Sequence, residues 1–320
     1  MRNISTIQNP PVKTLEDLVL FKEINKETNA KNLDNISRTD AYFEFFLQHP
    51  EIKWAFLASM VSRNAGWNMC DLEGKWFPGL IGKKLRWQLF LTYERANWLI
   101  FSDAFPQLML YHYSTKINRP MFHLLQYFHV SSFMEEEWLR FWTKKDKKRL
   151  MIALIINEQN VIQKPVINHP VYNRLIFHSL FFSIQDYLHF SSVLFPTCRG
   201  KLYGASVNGF RRVDKRIDLG KRLADILFAP ELFPLFYEFS IHTPHTGSRY
   251  DYEQYLIQQT GIDTPRLRDT FPIIQHHVHE FIDWYSAGNL NEKWLTPEVQ
   301  HRHPILITDW YLKKQQSAAR

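Results

Sequence analysis

The sequence predicts an all-α protein, a globular multi-helix array with short connections and one small β-hairpin near residues 200–212. Three observations carry that expectation. From Ala41 onward the apolar residues recur at helical spacing, in stretches of roughly 12 to 20 residues. Proline, glycine or asparagine punctuates those stretches, and the alternation expected of strands is scarce. Hydrophobic residues make up 45% of the 320 and aromatic residues 15%, enough to bury a sizeable core.

Taken in order, residues 1–38 are polar and lysine-rich, carry Pro10 and Pro11, and hold only a short amphipathic piece from Leu15 to Ile24. They are expected to form a loosely packed N-terminal arm. A larger helical part, residues 39–199, follows with helices over 40–48, 51–65, 83–104, 106–115, 120–128, 134–142, 145–163 and 170–194. Pro50 and Pro170 mark starts, because proline fits the first helical turn. Gly200, Gly204 and Gly209, with Leu202, Ala205 and Val207 alternating between them, predict the loop or hairpin. Beyond it a C-terminal part, 200–320, is expected to hold helices over 214–228, 231–240, 249–259, 264–285 and 291–300, the two parts being compatible with one continuous domain.

Composition narrows the function classes. No apolar run approaches the ~18 residues a membrane-spanning helix requires. The N-terminal stretch has no secretory apolar segment, and Cys70 and Cys198 are isolated, which together point to a cytoplasmic protein without a disulfide framework. A net charge of +7 favours anionic partners. The excess gathers in TKKDKKR at 143–149 and in the glycine-containing segment 199–222, where Arg211, Arg212, Lys215, Arg216, Lys221 and Arg222 form a candidate surface for nucleic acid or another anionic partner. That segment has neither a Walker A ending nor a dinucleotide fingerprint, no Gly-x-Ser-x-Gly elbow occurs in the chain, and the sequence calls for no cofactor.

The sharper signal is polar residues set in apolar stripes. On the helix of 83–104, Trp87, Phe90, Leu91, Trp98, Phe101 and Phe105 share an arc with Glu94 at its centre. On that of 145–163, Leu150, Met151, Leu154, Ile155, Val161 and Ile162 surround Glu158 in the same way. In SRNAGWNM, residues 62–69, Arg63 and Trp67 continue the arc of Ile52, Phe56 and Met60, Asn64 faces inward and Gly66 permits a turn. Buried charges must be paired, so Arg63, Glu94 and Glu158 are expected to meet. With Asn64, Trp67, Asn68, Arg95, Asn97 and Asn157 nearby, they form a candidate pocket for a small polar or anionic ligand. In the enzymatic version Glu94 or Glu158 is the general acid or base. The bland alternative is a satisfied internal network that fixes helix register.

Two histidine patterns resemble metal sites but lack the ligands that such a site needs. His276, His279, Glu280 and Asp283 share one helical face, but the opposite face, which carries Val278 and Phe281, is the apolar one, so the histidines are expected to meet water. Asp186 and His189 form a single acid-x-x-His pair without the second copy that a di-metal bundle uses.

SRNAGWNMCDLEG, LTYERANWLIFSDAFPQLMLY, FHVSSFMEEEW and LIINEQNVI together resemble the uncharacterised YppC family of Bacillus-like bacteria, from about Tyr42 to beyond Phe195. The resemblance implies a bacterial, cytoplasmic, helical protein and brings no activity, cofactor or catalytic residue with it.

Overall fold

The computed structural model describes residues 14–75, 77–169, 192–206, 211–257, 264–277, 283–285, 290–296 and 306–318. Helix dominates, accompanied by a two-stranded antiparallel hairpin, as the periodicity predicts.

Side-chain caps set several helix starts. Thr14 Oγ1 accepts from Asp17 N at the head of α1 (Leu15–Lys31), and Asp34 does the same for Ser37 N at α2 (Asn35–Gln48). Thus α1 stands where a loose arm was expected. Its Leu20 and Ile24 belong to the main core, so its inner face is fastened by apolar burial.

Helix α3 (Lys53–Asp71) packs along α2 and runs six residues beyond the expected stop near residue 65, straight through Gly66. After the one-turn α4 (Phe77–Leu80), α5 (Lys83–Ile117) forms a spine of 35 residues. It passes through Pro106 where a break was expected. Proline removes one backbone donor, yet Phe101, Phe105, Leu108 and Leu110 on both sides of it are buried in the same core. Asn118, in the left-handed conformation, ends the spine. The 120–128 helix is a 3₁₀ segment, Phe122–Phe128. Then come α6 (Ser132–Lys144) and α7 (Lys147–Val161), which is capped by Asp146.

Strands β1 (Ser192–Pro196) and β2 (Leu202–Ser206) pair in register from Ser192 opposite Ser206 to Pro196 opposite Leu202. The hairpin therefore begins earlier than expected. Gly204 faces the Val193 carbonyl so closely that an added Cβ would lie 2.0 Å from it. Helices α8 (Val213–Leu227) and α9 (Phe233–His242) follow.

The C-terminal third departs most from expectation. The 249–259 helix is a single turn, α10 (Tyr250–Glu253), the described part of 264–285 holds only α11 (Leu267–Thr270), and within 291–300 a 3₁₀ turn spans Glu292–Leu295. A helix not anticipated, α12 (Thr308–Ala318), follows. Residues 170–191, with Asp186 and His189, lie outside the described residues, as do His279 and Glu280. No described helix is long and apolar enough to cross a membrane.

Candidate functional site

The SRNAGWNM segment is filled by the protein's own chain. Arg63 donates to the carbonyls of Thr243, at 2.7 Å, and Ser240, at 3.3 Å, at the carbonyl end of α9. A cation there answers the unpaired carbonyls and the negative end of the helix dipole. Burial pulls the Arg63 guanidinium down to about 10. Asn64 donates to the Leu194 carbonyl and accepts from Leu194 N, each at 2.7 Å, completing the edge of β1 that faces away from β2.

Gly66 makes no turn. An added Cβ would sit 2.5 Å from both Asn35 Oδ1 and His245 Nε2, so glycine admits the imidazole against α3. Trp67 Nε1 donates to Asp251, which also receives Thr246 N and lies 3.3 Å from His245 Nδ1. Asn68, one residue on, is half-buried. The motif is a receiving surface for segments that return far along the chain.

The expected meeting of Arg63, Glu94 and Glu158 does not form. Glu94 is 3% exposed and pairs bidentately with Arg38, itself 1% exposed, which also donates to Asn32. Arg38 fell inside the expected arm, yet it shares a helix face with Tyr42, Phe45 and Phe46, the signal that could have found it. Burial pushes the Glu94 carboxyl upward, but His276 and the Arg38 guanidinium outweigh it and hold it below its usual range. His276 Nε2 stands 3.7 Å from Glu94 Oε1 with its ring on Trp98. The histidine expected to face water is turned inward because residues 271–277 are not helical.

Glu158 accepts from Trp54 Nε1 at 3.1 Å and from Gln159 at 3.0 Å, and burial pushes it up to about 7. Asp103 is likewise raised to about 7 by burial, although Asn157 and Gln107 donate to it. Asn157 also accepts from Ser131 and from Trp284. Among the described residues the buried Tyr42 hydroxyl has no hydrogen-bond partner, and it feels the charges of Glu158, Arg38 and Asp103.

Arg95 lies over the Trp98 ring, and Asn97 bonds back to the Tyr93 carbonyl. The basic loop divides. Arg211, Arg212 and Lys215 are exposed, Arg212 being paired with Asp214, and Arg222 is half-buried. Arg216 is buried on Gln159 and Gln163, and buried Lys221 donates to the Thr296 carbonyl. Among the described residues no group of His, Cys, Asp or Glu is arranged to hold a metal ion.

Beside Glu94 lies a cavity of ≈ 250 Å³. Leu33 and Asp34 ahead of α2, Phe90 and Glu94 on α5, and Leu267, Arg268, Phe271, Pro272 and Ile273 around α11 line it. Phe90 and Phe271 stack at 3.9 Å between centroids, and Arg268 Nε donates to Asp34 at 2.6 Å. A second cavity of ≈ 280 Å³ has walls richer in charge, including Glu27, Lys31, Glu44, His112 and Lys116.

The family model for the protein of unknown function DUF2515 matches residues 30–312. A Bacillus subtilis (strain 168) relative bearing the name Uncharacterized protein YppC is 49% identical over 298 residues, covering 92% of each chain. The likeness thus includes the C-terminal third as well as the stretches that carry the resemblance. No solved structure matches the chain.

Proposed function

We propose, for a chain that belongs to the DUF2515 family of proteins of unknown function, that the cavity beside Glu94 binds a small uncharged molecule with an apolar, ring-sized body and does not transform it. The observation that carries this reading is the self-compensation of charge around that cavity. Glu94 is neutralised by Arg38 and Asp34 by Arg268. A charged ligand would leave water without finding a free counter-ion, which costs several kcal/mol, on the order of the penalty for an unpaired buried charge. Leu33, Phe90, Leu267, Phe271 and Ile273 favour an apolar body, while the remaining lone pairs of the Glu94 carboxylate suit a single N–H or O–H donor.

Binding without turnover follows from the state of Glu94. A carboxylate held below its usual range by His276 and a bidentate arginine stays ionised near neutrality and is a poor general acid and a weakened base. Glu158, raised to about 7, is better suited to acid-base work, but it lines neither cavity described above.

Ligand-observed NMR with indole, benzoate and benzylamine tests the reading. Indole is expected to bind, and the two charged probes to bind at least about tenfold more weakly. Tighter binding of benzoate or benzylamine, or no binding of indole, overturns it.

A further inference from the structure

Among the described residues, the turn joining α4 to α5 presents an exposed face that is both apolar and cationic. Leu80 is 58% exposed, and Trp87, which the helical arc places inward, is 38% exposed. Lys83 and Lys84 are exposed on the first turn of α5, four and three residues before Trp87, and so flank it on the helix surface. Arg86 in the same turn is occupied by Glu73 and the Ile81 carbonyl. Among the described residues neither lysine has an ion-pair partner, and the turn holds no acidic residue, so two cations sit at the positive end of a long helix dipole. An added Cβ at Gly79 or Gly82 meets nothing within 4 Å, which places open space beside the turn.

We propose that this face docks peripherally on an anionic phospholipid surface, the lysines meeting headgroup phosphates and Leu80 and Trp87 entering the interfacial layer. Charge complementarity selects the partner. The chain carries +7 overall, and anionic bilayers attract clustered Lys and Arg. Tryptophan settles at the headgroup level, where one edge of the ring is apolar and the other wet. An exposed leucine separates this occupant from nucleic acid, because Leu80 has no ring to stack on a base and its burial requires hydrocarbon. The contact lies at the surface, since no described helix crosses a bilayer.

Trp87 stacks toward Phe90 and Phe271, at 5.2 and 6.5 Å between centroids, and both phenylalanines line the cavity beside Glu94. The docking face thus borders that cavity but does not depend on its occupancy. Vesicle binding is measured with no small molecule present, so either reading can fail alone.

The test is co-sedimentation of the full chain with phosphatidylcholine vesicles and with vesicles that also contain phosphatidylglycerol. The expected result is retention by the phosphatidylglycerol vesicles only, with release at high salt. Lys83→Gln/Lys84→Gln weakens that retention about thirtyfold, and Leu80→Ser weakens it about tenfold. These side chains are exposed, and far-UV circular dichroism confirms that each variant is folded. Equal retention by both vesicle types, or unchanged retention of the two variants, overturns the proposal. So does binding to an oligonucleotide or to polyglutamate that matches the vesicle binding and is insensitive to Leu80→Ser.

Discussion

At Glu94 a single substitution separates charge from shape. Glu94→Gln retains the hydrogen-bonding outline but leaves Arg38 buried without its counter-ion, so urea unfolding is expected to show a loss of ~3–5 kcal/mol. Arg38→Met/Glu94→Leu, which removes both charges, is expected to recover most of that loss; a double variant as unstable as Glu94→Gln contradicts the pairing. The stripe arithmetic located a buried carboxylate on α5 but not its partner, because helical spacing reports which way a residue points and not what stands opposite.

Asp103 and Glu158 give the residue scale a pH signature. Burial raises both carboxyls to about 7 from ordinary values of 3.8 and 4.5. The unfolded chain releases these protons near the ordinary values, so between those values and about 7 the folded state holds more protons. Their contribution to stability is therefore fully present below the ordinary range and falls as pH rises toward 7. Asp34, Glu94 and Asp251, held low by their partners, act in the opposite sense, and their contribution is lost as pH falls below the ordinary range. Asp103→Asn/Glu158→Gln is expected to lose less stability than the wild type between about pH 5 and about pH 8. Stability curves that run parallel contradict this.

At the scale of elements, α3 is the organiser. Arg63, Asn64, Gly66 and Trp67 lie within little more than one turn of the helix, and each receives a segment from more than a hundred residues away: the end of α9, β1, His245 and Asp251. That inward direction was legible from the arc through Ile52, Phe56 and Met60. The occupants were not, because β1 and the 243–251 segment carry no periodicity that ties them to α3. Gly66→Ala places a methyl group 2.5 Å from Asn35 and His245. It is expected to cost about 1–3 kcal/mol, as overpacking does, and to speed proteolysis within the 243–257 segment. An unchanged melting temperature and digestion pattern contradict the close-contact role. The helix expected over 264–285 does not continue through residues 271–277, and tertiary contacts account for it. Residues 271–277 have helix-like apolar spacing, but Phe271 stacks on Phe90 and His276 turns to Glu94, and tertiary contacts win over local pattern.

For the whole molecule, the fold class was legible because long amphipathic helices bury their stripes wherever they meet. The location of the cavity was not, because it forms only where α11 and the extended chain after it close over α5. Ile273, 52% exposed on the rim, gives access to small-molecule binding at that junction without disturbing the core. The decisive measurement is an indole titration of the wild type and of Ile273→Trp, followed by NMR. The expected result is saturable binding to the wild type and at least about a tenfold weakening in the variant, whose indole ring fills the cavity while the melting temperature is unchanged. Equal indole affinity in the two proteins contradicts it.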